Sequence, residues 1–221
     1  MHMSKHTVIG IVAVTLLSAG TASAGFQGIG IELVAIDAVD QSTGNWTARL
    51  YVELDAGSRL DAVYGNADHP LWMGTTGSLF QHQFGGDTTT SINPALYVAF
   101  PSLVYDSWVT IGLEDQIDNA LSDIGMHYDF DSVSTSDGSF YVTPDDGQGQ
   151  EVGGRVLIGQ FTVFGYDSQL YGTVSLQGKH ADGSNWSVEG VEFHNLIPLP
   201  GPLSLLIVGG VVGGSRRRRP A

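Results

Sequence analysis

Strict alternation of apolar and polar side chains across residues 46–54 constrains the fold of this chain more than any other feature. A period of two places every second side chain of a β-strand on the same face, so the segment is predicted to be a strand with one buried face. The buried face would carry Trp46, Ala48, Leu50, Val52 and Leu54, opposite Thr47, Arg49, Tyr51 and Glu53.

Similar short segments recur along the chain, separated by Gly, Asp, Asn and Ser at roughly ten-residue spacing. Such spacing is typical of sandwiches and barrels and not of alternating strands and helices. We therefore predict an all-β fold, an antiparallel, jelly-roll-like β-sandwich. The other predicted strands are residues 29–36, 59–64, 71–73, 79–84, 97–100, 107–113, 127–130, 139–143, 156–163, 172–176 and 186–193.

One short helix is predicted at residues 115–124. Ile117, Leu121 and Ile124 follow a helical spacing that would place them on one side, and Gly125 is suited to end the helix. The chain has no cysteine, so a single domain has to depend on its hydrophobic core instead of disulfides.

Residues 1–24 have the three parts of a secretory signal peptide. Lys5 precedes an apolar run at residues 7–17, and Ala22 and Ala24 place small side chains at the two positions that signal peptidase recognises. Cleavage is expected after Ala24. The alternative is an uncleaved membrane anchor, which the small residues at the cleavage site disfavour.

Residues 197–221 combine prolines, an apolar run and a basic end. Residues 197–214 carry no charge and would form about 27 Å of helix, close to the hydrocarbon thickness of a bilayer. Arginines beyond such a helix hold its end in the cytoplasm, so the preceding domain would lie outside. The alternative is a buried terminal strand with a basic tail. The prolines and their neighbours are Pro198, Leu199, Pro200, Gly201 and Pro202, and the arginines are Arg216, Arg217, Arg218 and Arg219.

This combination of signal peptide and C-terminal tail resembles the PEP-CTERM class of exported bacterial proteins. In that class the motif usually is Pro-Glu-Pro, whereas Leu199 replaces the glutamate here. The resemblance covers residues 197–219. It implies export, transient tethering in the membrane, cleavage by an exosortase-like enzyme and release to the cell surface or extracellular matrix, and it implies no catalytic activity.

Residues 101–112 also resemble a stretch of uncharacterised exported proteins with such tails. That similarity supports a shared sandwich domain and no activity. A structural role alone also accounts for these residues. Trp108 and Val109 suit the start of a buried strand, and Asp106 can accept local backbone hydrogen bonds in a turn.

The predicted domain, residues 25–196, is strongly acidic. It carries four basic residues against all 23 acidic ones, a net charge of −19. Such a charge repels nucleic acid, which we exclude as a partner. Two explanations of the acidity compete without excluding one another, adaptation to salty water and dedicated calcium sites.

The best candidate for calcium is the loop at residues 145–151. Asp145, Asp146 and Glu151 supply the hard oxygen ligands that Ca²⁺ prefers, although their spacing is not that of an EF-hand. The alternative is a solvated loop. No catalytic motif stands out, because no Gly-x-Ser-x-Gly elbow is present and the histidines are scattered, so we predict that the protein is not an enzyme.

Three functions remain open. The first is a non-catalytic protein of the cell surface or extracellular matrix, and the second is a carbohydrate-binding or calcium-dependent adhesion module exported by the same route. The third is a surface hydrolase with paired carboxylates. Aromatic side chains favour the carbohydrate-binding function only if they lie outside the core. Trp72 and Tyr141 are the best candidates, because they lie at the least strand-like positions.

Overall fold

The structure is a computed structural model that describes residues 25–39, 43–144 and 146–195. These residues form antiparallel β-sheets and four short 3₁₀-helices, which confirms the predicted all-β class. The strands are β1 (Phe26–Ile36), β2 (Asn45–Leu54), β3 (Arg59–Gly65), β4 (Leu71–Thr75), β5 (Ser78–Leu79), β6 (Trp108–Val109), β7 (Ser122–Ile124), β8 (His127–Tyr128), β9 (Ser132–Thr135), β10 (Gly138–Tyr141), β11 (Arg155–Phe164), β12 (Leu170–Lys179) and β13 (Asn185–His194). The 3₁₀-helices are Thr89–Ser91, Pro94–Leu96, Pro101–Tyr105 and Gly147–Gly149.

The first sheet is built around β2, which pairs with β1 on one side and β11 on the other. The far edge of β11 pairs with two short strands, β5 opposite Val163 and β6 opposite Gly159. The alternation predicted for β2 is confirmed, because its even-numbered apolar side chains from Trp46 to Leu54 are all buried in the main core.

The second sheet is built around β12, which pairs with β13 along one edge. Its other edge pairs with two strands in succession, β4 opposite residues 170–173 and β3 opposite residues 175–179. The sheet therefore divides into two branches, in which β3 continues to β10 and β7 while β4 continues to β9 and β8.

The main hydrophobic core lies between the two sheets. Leu50 and Phe161 of the first sheet and Val63, Met73 and Leu176 of the second belong to the same buried cluster. Each buried side chain of this size stabilises the fold by about 1.5–3 kcal/mol through removal of apolar surface from water. Two antiparallel sheets around one core give a β-sandwich-like architecture.

A second, smaller core covers the outer face of the first sheet. Residues 80–107 leave β5, cross this face and return at β6, burying Ile92 and Leu103 against Tyr51, Trp108 and Leu157. The covering also explains why Thr47 and Tyr51, on the face of β2 opposite the main core, are buried.

The predicted helix at residues 115–124 is wrong. Asp118 adopts a left-handed φ of 52°, and residues 122–124 form strand β7 instead. The Asp115 carboxylate accepts a hydrogen bond from the backbone N–H of Ile117 at 2.8 Å, and the Asn119 amide donates to the carbonyl of Asp115. Such short side-chain bonds to the backbone compete with the hydrogen bonds of a helix.

Several predicted strands are also wrong or too long, and those at residues 107–113 and 127–130 shorten to the two-residue strands β6 and β8. Residues 97–100 form a turn after the 3₁₀-helix Pro94–Leu96, and only the first residue of the predicted strand 79–84 belongs to β5. Tyr97 and Phe100 pack against the second core from a loop, so their apolar side chains do not indicate a strand. The short strands β7 and β9 were not predicted, because their sequences are mostly polar.

The predicted signal peptide and the predicted sorting tail lie outside the described residues, as does Asp145. Within residues 25–39, 43–144 and 146–195, no helix has both the length and the apolar character that crossing a membrane requires.

Candidate functional site

The outer face of the second sheet carries an ordered array of aromatic and polar side chains. Strand pairing places Thr173 of β12 between Trp72 of β4 and Glu192 of β13, and places Tyr171 opposite His194. Directly opposed residues of neighbouring strands project from the same face of a sheet. We call these five residues the aromatic face.

Trp72 and Tyr171 are in direct contact at the centre of the aromatic face. Their ring centroids are 4.5 Å apart and the ring planes are tilted by 42°. The indole lies over Gly74, where an added Cβ would approach the ring carbons to 2.6 Å. Gly74 therefore permits Trp72 to lie along the sheet, and neither ring is buried, with Tyr171 37% exposed.

Hydrogen-bonding groups border the two rings. Ser134 of β9 lies opposite Trp72, and His127 of β8 lies opposite Ser134. Among the described residues, none forms a hydrogen bond with the indole N–H of Trp72 or with the hydroxyl of Tyr171. An aromatic surface with polar groups at its edge suits ligands that have both apolar and hydroxylated faces.

A polar cluster lies beside the aromatic face, at the level of Ser175, which is two residues after Thr173 on β12. Tyr64 lies opposite Ser175, and its hydroxyl donates to Oε1 of Glu189 at 3.1 Å. The side chain of Asn66 donates to the same oxygen at 3.0 Å. Partial burial, followed by the contact with Glu189, raises the pKa of Tyr64 to about 12, so the hydroxyl stays a donor at neutral pH. Among the described residues, Oε2 of Glu189 receives no hydrogen bond.

The other tryptophans belong to the core, as their alternating positions predicted. Trp46, Trp108 and Trp186 are each at most 3% exposed. Tyr141, the second aromatic residue singled out from the sequence, is half-buried and pairs with Ala62 on the branch of the second sheet away from Trp72.

The residues of the predicted calcium loop have separate backbone partners. Asp146 caps the 3₁₀-helix Gly147–Gly149 by accepting from the N–H of Gln148 at 2.8 Å. Glu151 accepts from the N–H groups of Gly57 and Gly154, which lowers its pKa. Asp145 lies outside the described residues, and calcium at this loop stays a prediction.

Neither histidines nor acids form an evident metal site in the described ranges. No three His, Asp or Glu side chains of residues 25–39, 43–144 and 146–195 are grouped closely enough to hold a metal ion. A small pocket lined by Asp87 and Asp129, with Trp108 and Phe161 at its wall, has room for about one water molecule. Burial raises the pKa of Asp87.

Asp106 is a buried carboxylate with a structural task. It is fully buried and accepts hydrogen bonds from the backbone N–H groups of His82 at 2.6 Å and Gly86 at 3.0 Å. Desolvation, only partly offset by these bonds, raises its pKa to about 6. The predicted acceptance of backbone hydrogen bonds is confirmed, but the donors are 20 and 24 residues away instead of in the local turn.

Sequence reasoning singled out Trp72 but missed Tyr171. The alternation of Leu170, Tyr171, Gly172, Thr173 and Val174 already places Tyr171 on the face opposite the buried leucine and valine. That signal identifies an outward tyrosine, but only the pairing of β4 with β12 brings it against Trp72.

The chain was compared with family models, curated proteins and solved structures, and it matches none of them. The candidate site therefore depends on its own geometry.

Proposed function

We propose that this chain is an exported, non-catalytic protein of the cell surface or extracellular matrix. In this proposal residues 1–24 are a signal helix, residues 25–196 a jelly-roll-like sandwich, and residues 197–214 a transmembrane helix. Signal peptidase and the export machinery process the N-terminus. An exosortase-like enzyme then cleaves the tail and ends the transient tethering in the membrane.

The observation that carries the proposal is the order of features in the C-terminal tail. Eighteen uncharged residues that include the proline motif, then Ser215 and four consecutive arginines, follow directly on an acidic domain. A bilayer-length apolar segment bounded by arginines is suited to stop in the membrane with its end in the cytoplasm. The net charge of −19 from four basic and 23 acidic residues further supports a solvated surface protein without nucleic acid as a partner.

The contacts of Gly25 support cleavage after Ala24. Its backbone nitrogen lies 3.0 Å from Oδ2 of Asp55, and its carbonyl accepts from the N–H of Asp55. Gly25 has a φ of 108°, and an added Cβ would approach the His180 ring to 2.7 Å, so a glycine is required here. If cleavage follows Ala24, the Gly25 nitrogen becomes an ammonium group beside a carboxylate.

This arrangement predicts a stability effect that depends on cleavage. In the mature chain, Asp55→Asn should lower the free energy of unfolding by about 1 kcal/mol at pH 7, because it removes an ion pair at the edge of the fold. The effect should shrink above about pH 8, where α-amino groups lose their proton and the pair disappears. Denaturant unfolding at pH 6.5 and pH 10 measures both values.

Asp167→Asn is the control, since Asp167 is exposed and forms no described contact. A chain that retains residues 1–24 should show a smaller effect of Asp55→Asn, because its Gly25 nitrogen is an uncharged amide. Equal effects at both pH values in the mature chain would contradict an ammonium group at Gly25.

Cell fractionation tests the proposed export directly. The tagged wild-type chain should be recovered from the surface or the medium, and mass spectrometry should find Gly25 at its N-terminus and no residues of the apolar tail. Deletion of residues 197–221 should leave the protein exported but never tethered. Recovery of the wild type in the cytoplasm with Met1 intact would contradict the proposal.

A variant of the proline motif provides the matched control. Pro198→Ala combined with Pro200→Ala leaves the apolar segment and the four arginines unchanged. The variant should insert and then accumulate in the membrane with its tail uncleaved, which separates recognition by the sorting enzyme from insertion itself.

A carbohydrate-binding or calcium-dependent adhesion module, exported by the same route, is the second candidate. Exposed ring surface at Trp72 and Tyr171 favours it, and extracellular polysaccharide would be the partner. Calcium at Asp145, Asp146 and Glu151 belongs to this candidate. A surface hydrolase is the third candidate, and the small pocket lined by Asp87 and Asp129 has room for about one water molecule.

A further inference from the structure

We infer that the aromatic face binds an uncharged polysaccharide of hexopyranose units by stacking sugar rings on Trp72 and Tyr171. The inference deepens the second candidate function by assigning a ligand class and a site to it. The observation behind it is that the two rings contact each other and stay partly exposed on the outer face of the second sheet.

The geometry of the rings matches the shape of a sugar. A hexopyranose ring presents C–H groups on its faces and hydroxyl groups around its edge. The C–H face packs against an aromatic ring, and the hydroxyls then point to whatever borders that ring. Trp72 and Tyr171, with centroids 4.5 Å apart and planes tilted by 42°, pack against one another, so a sugar would stack on the ring surface that this contact leaves exposed.

The polar residues around the rings supply partners for hydroxyl groups. Thr173 lies beside Trp72 in the strand register, with Glu192 next to it on β13, and His194 lies opposite Tyr171. Glu189 adds a further acceptor one step along β12, since Tyr64 and Asn66 hold its Oε1 and leave Oε2 to solvent among the described residues. Two neighbouring positions of the same face are about 7 Å apart along a strand, so Glu189 is within reach of a polymer that lies on the rings.

The negative charge beside the rings favours uncharged polysaccharides over anionic ones. Glu189 and Glu192 are exposed beside the rings, and the 23 acidic residues of the chain all fall within the predicted domain. A polymer of uronate or sulfated sugars would be repelled from this surface. The carboxylates can accept hydrogen bonds from hydroxyls of an uncharged chain without that penalty, so a neutral polysaccharide is the occupant that the face fits.

Burial separates this face from the rest of the surface. The outer face of the first sheet is covered by residues 80–107, whereas Tyr171, Glu192 and His194 on the second sheet are exposed. Trp72 makes its ring contact with Tyr171 and not with the buried cluster. A tryptophan in this position is therefore not needed to fill the core.

Isothermal titration of the purified full chain tests the inference without depending on export. The chain is kept in a detergent whose headgroup is not a sugar, and the probes are cellohexaose, maltohexaose and mannohexaose, with an oligomer of guluronate as the anionic comparison. At least one neutral hexaose should bind, and the guluronate oligomer should not. Trp72→Ala and Tyr171→Ala should each weaken binding tenfold or more.

Tyr166→Ala is the matched control, because Tyr166 is 44% exposed in the turn between β11 and β12, away from the aromatic face. It should bind as the wild type does. Thermal unfolding checks that each variant is folded. If Trp72→Ala does not fold, the binding of Tyr171→Ala decides the outcome.

The inference is overturned if no neutral hexaose binds, if the guluronate oligomer binds as well as the neutral probes, or if both ring variants bind normally. Binding that EDTA abolishes also overturns stacking as its basis and points to the calcium loop. Each of these results leaves the proposed export untouched, since fractionation tests that independently.

Discussion

Replacement of Phe161 by alanine is expected to lower the free energy of unfolding by about 4 kcal/mol. Phe161 is fully buried in the main core, on the central strand β11 of the first sheet. Ala48 lies opposite it on β2, so the small side chain and the large one are complementary, and the ring contacts atoms at Gly159 as well. Few neighbours can move into the space that the ring leaves.

Thermal unfolding measures this loss. For a domain of this length, each kcal/mol corresponds to a few degrees, so the midpoint should fall by about 10 °C. Phe130→Ala is the matched control, because Phe130 is 81% exposed and its truncation should change stability by less than about 0.5 kcal/mol. A similar loss in both variants would contradict the proposed position of the core between the two sheets.

Replacement of Asp106 by alanine is expected to loosen the covering of the first sheet and to cost about 3 kcal/mol. The backbone N–H groups of His82 and Gly86 would lose their acceptor, at about 1–3 kcal/mol for each orphaned donor. The return of the covering segment is also tied to β11, where the Gln160 amide donates to the carbonyls of Val104 and Asp106.

Hydrogen exchange locates the effect. Faster exchange should appear first in residues 80–107 and later in strands β3 and β12 of the second sheet, because local opening of the covering segment does not require the main core to open. Asp167→Ala, which removes an exposed carboxylate without described contacts, should leave exchange unchanged. If exchange became faster to the same extent in both sheets, Asp106 would stabilise the whole fold and not the covering segment alone.

Asp106 also gives the wild-type protein a distinctive pH dependence of stability, which the alanine variant should lack. Burial raises the pKa of Asp106 to about 6, against 3.8 for an unperturbed aspartate. The folded state therefore binds a proton that the unfolded state lacks between about pH 4 and pH 6, and this group adds stability as the pH falls through that window. The added stability is complete below pH 3.8 and is lost as the pH rises through 6.

Relative to Asp106→Ala, the wild type should therefore gain about 2 kcal/mol between pH 7 and pH 4. The comparison with the variant cancels the contributions of the other acids, among them Asp37 and Asp182, whose lowered pKa values act in the opposite direction. Parallel pH profiles of the two proteins would show that Asp106 does not titrate in this range.

The local sequence was a reliable guide wherever one face of a strand meets the core. Strands β2, β11 and β13 follow the predicted segments closely, because alternating or continuous apolar residues mark a strand with one or both faces buried. It failed at residues 115–124, where helical spacing of three apolar residues competed with Asp115 and Asn119. Hydrogen bonds from those side chains to the backbone hold a non-helical turn.

The sequence predicted only part of the candidate site. Trp72 was recognised from its poorly alternating surroundings, and Tyr171 follows from alternation, but their contact joins residues about one hundred positions apart. Strand order depends on long-range pairing, which local patterns do not encode.

By itself, the amino-acid sequence determined the β-rich character of residues 25–195, the face of β2 that enters the main core and the acidity of the surface, because these depend on side-chain periodicity and composition. Only the tertiary structure decided which outer face is covered. Residues 80–107 pack over the first sheet, while β4 and β12 pair in the second and leave Trp72 and Tyr171 in contact and partly exposed. The physical reason is that coverage and register are set by contacts between distant segments.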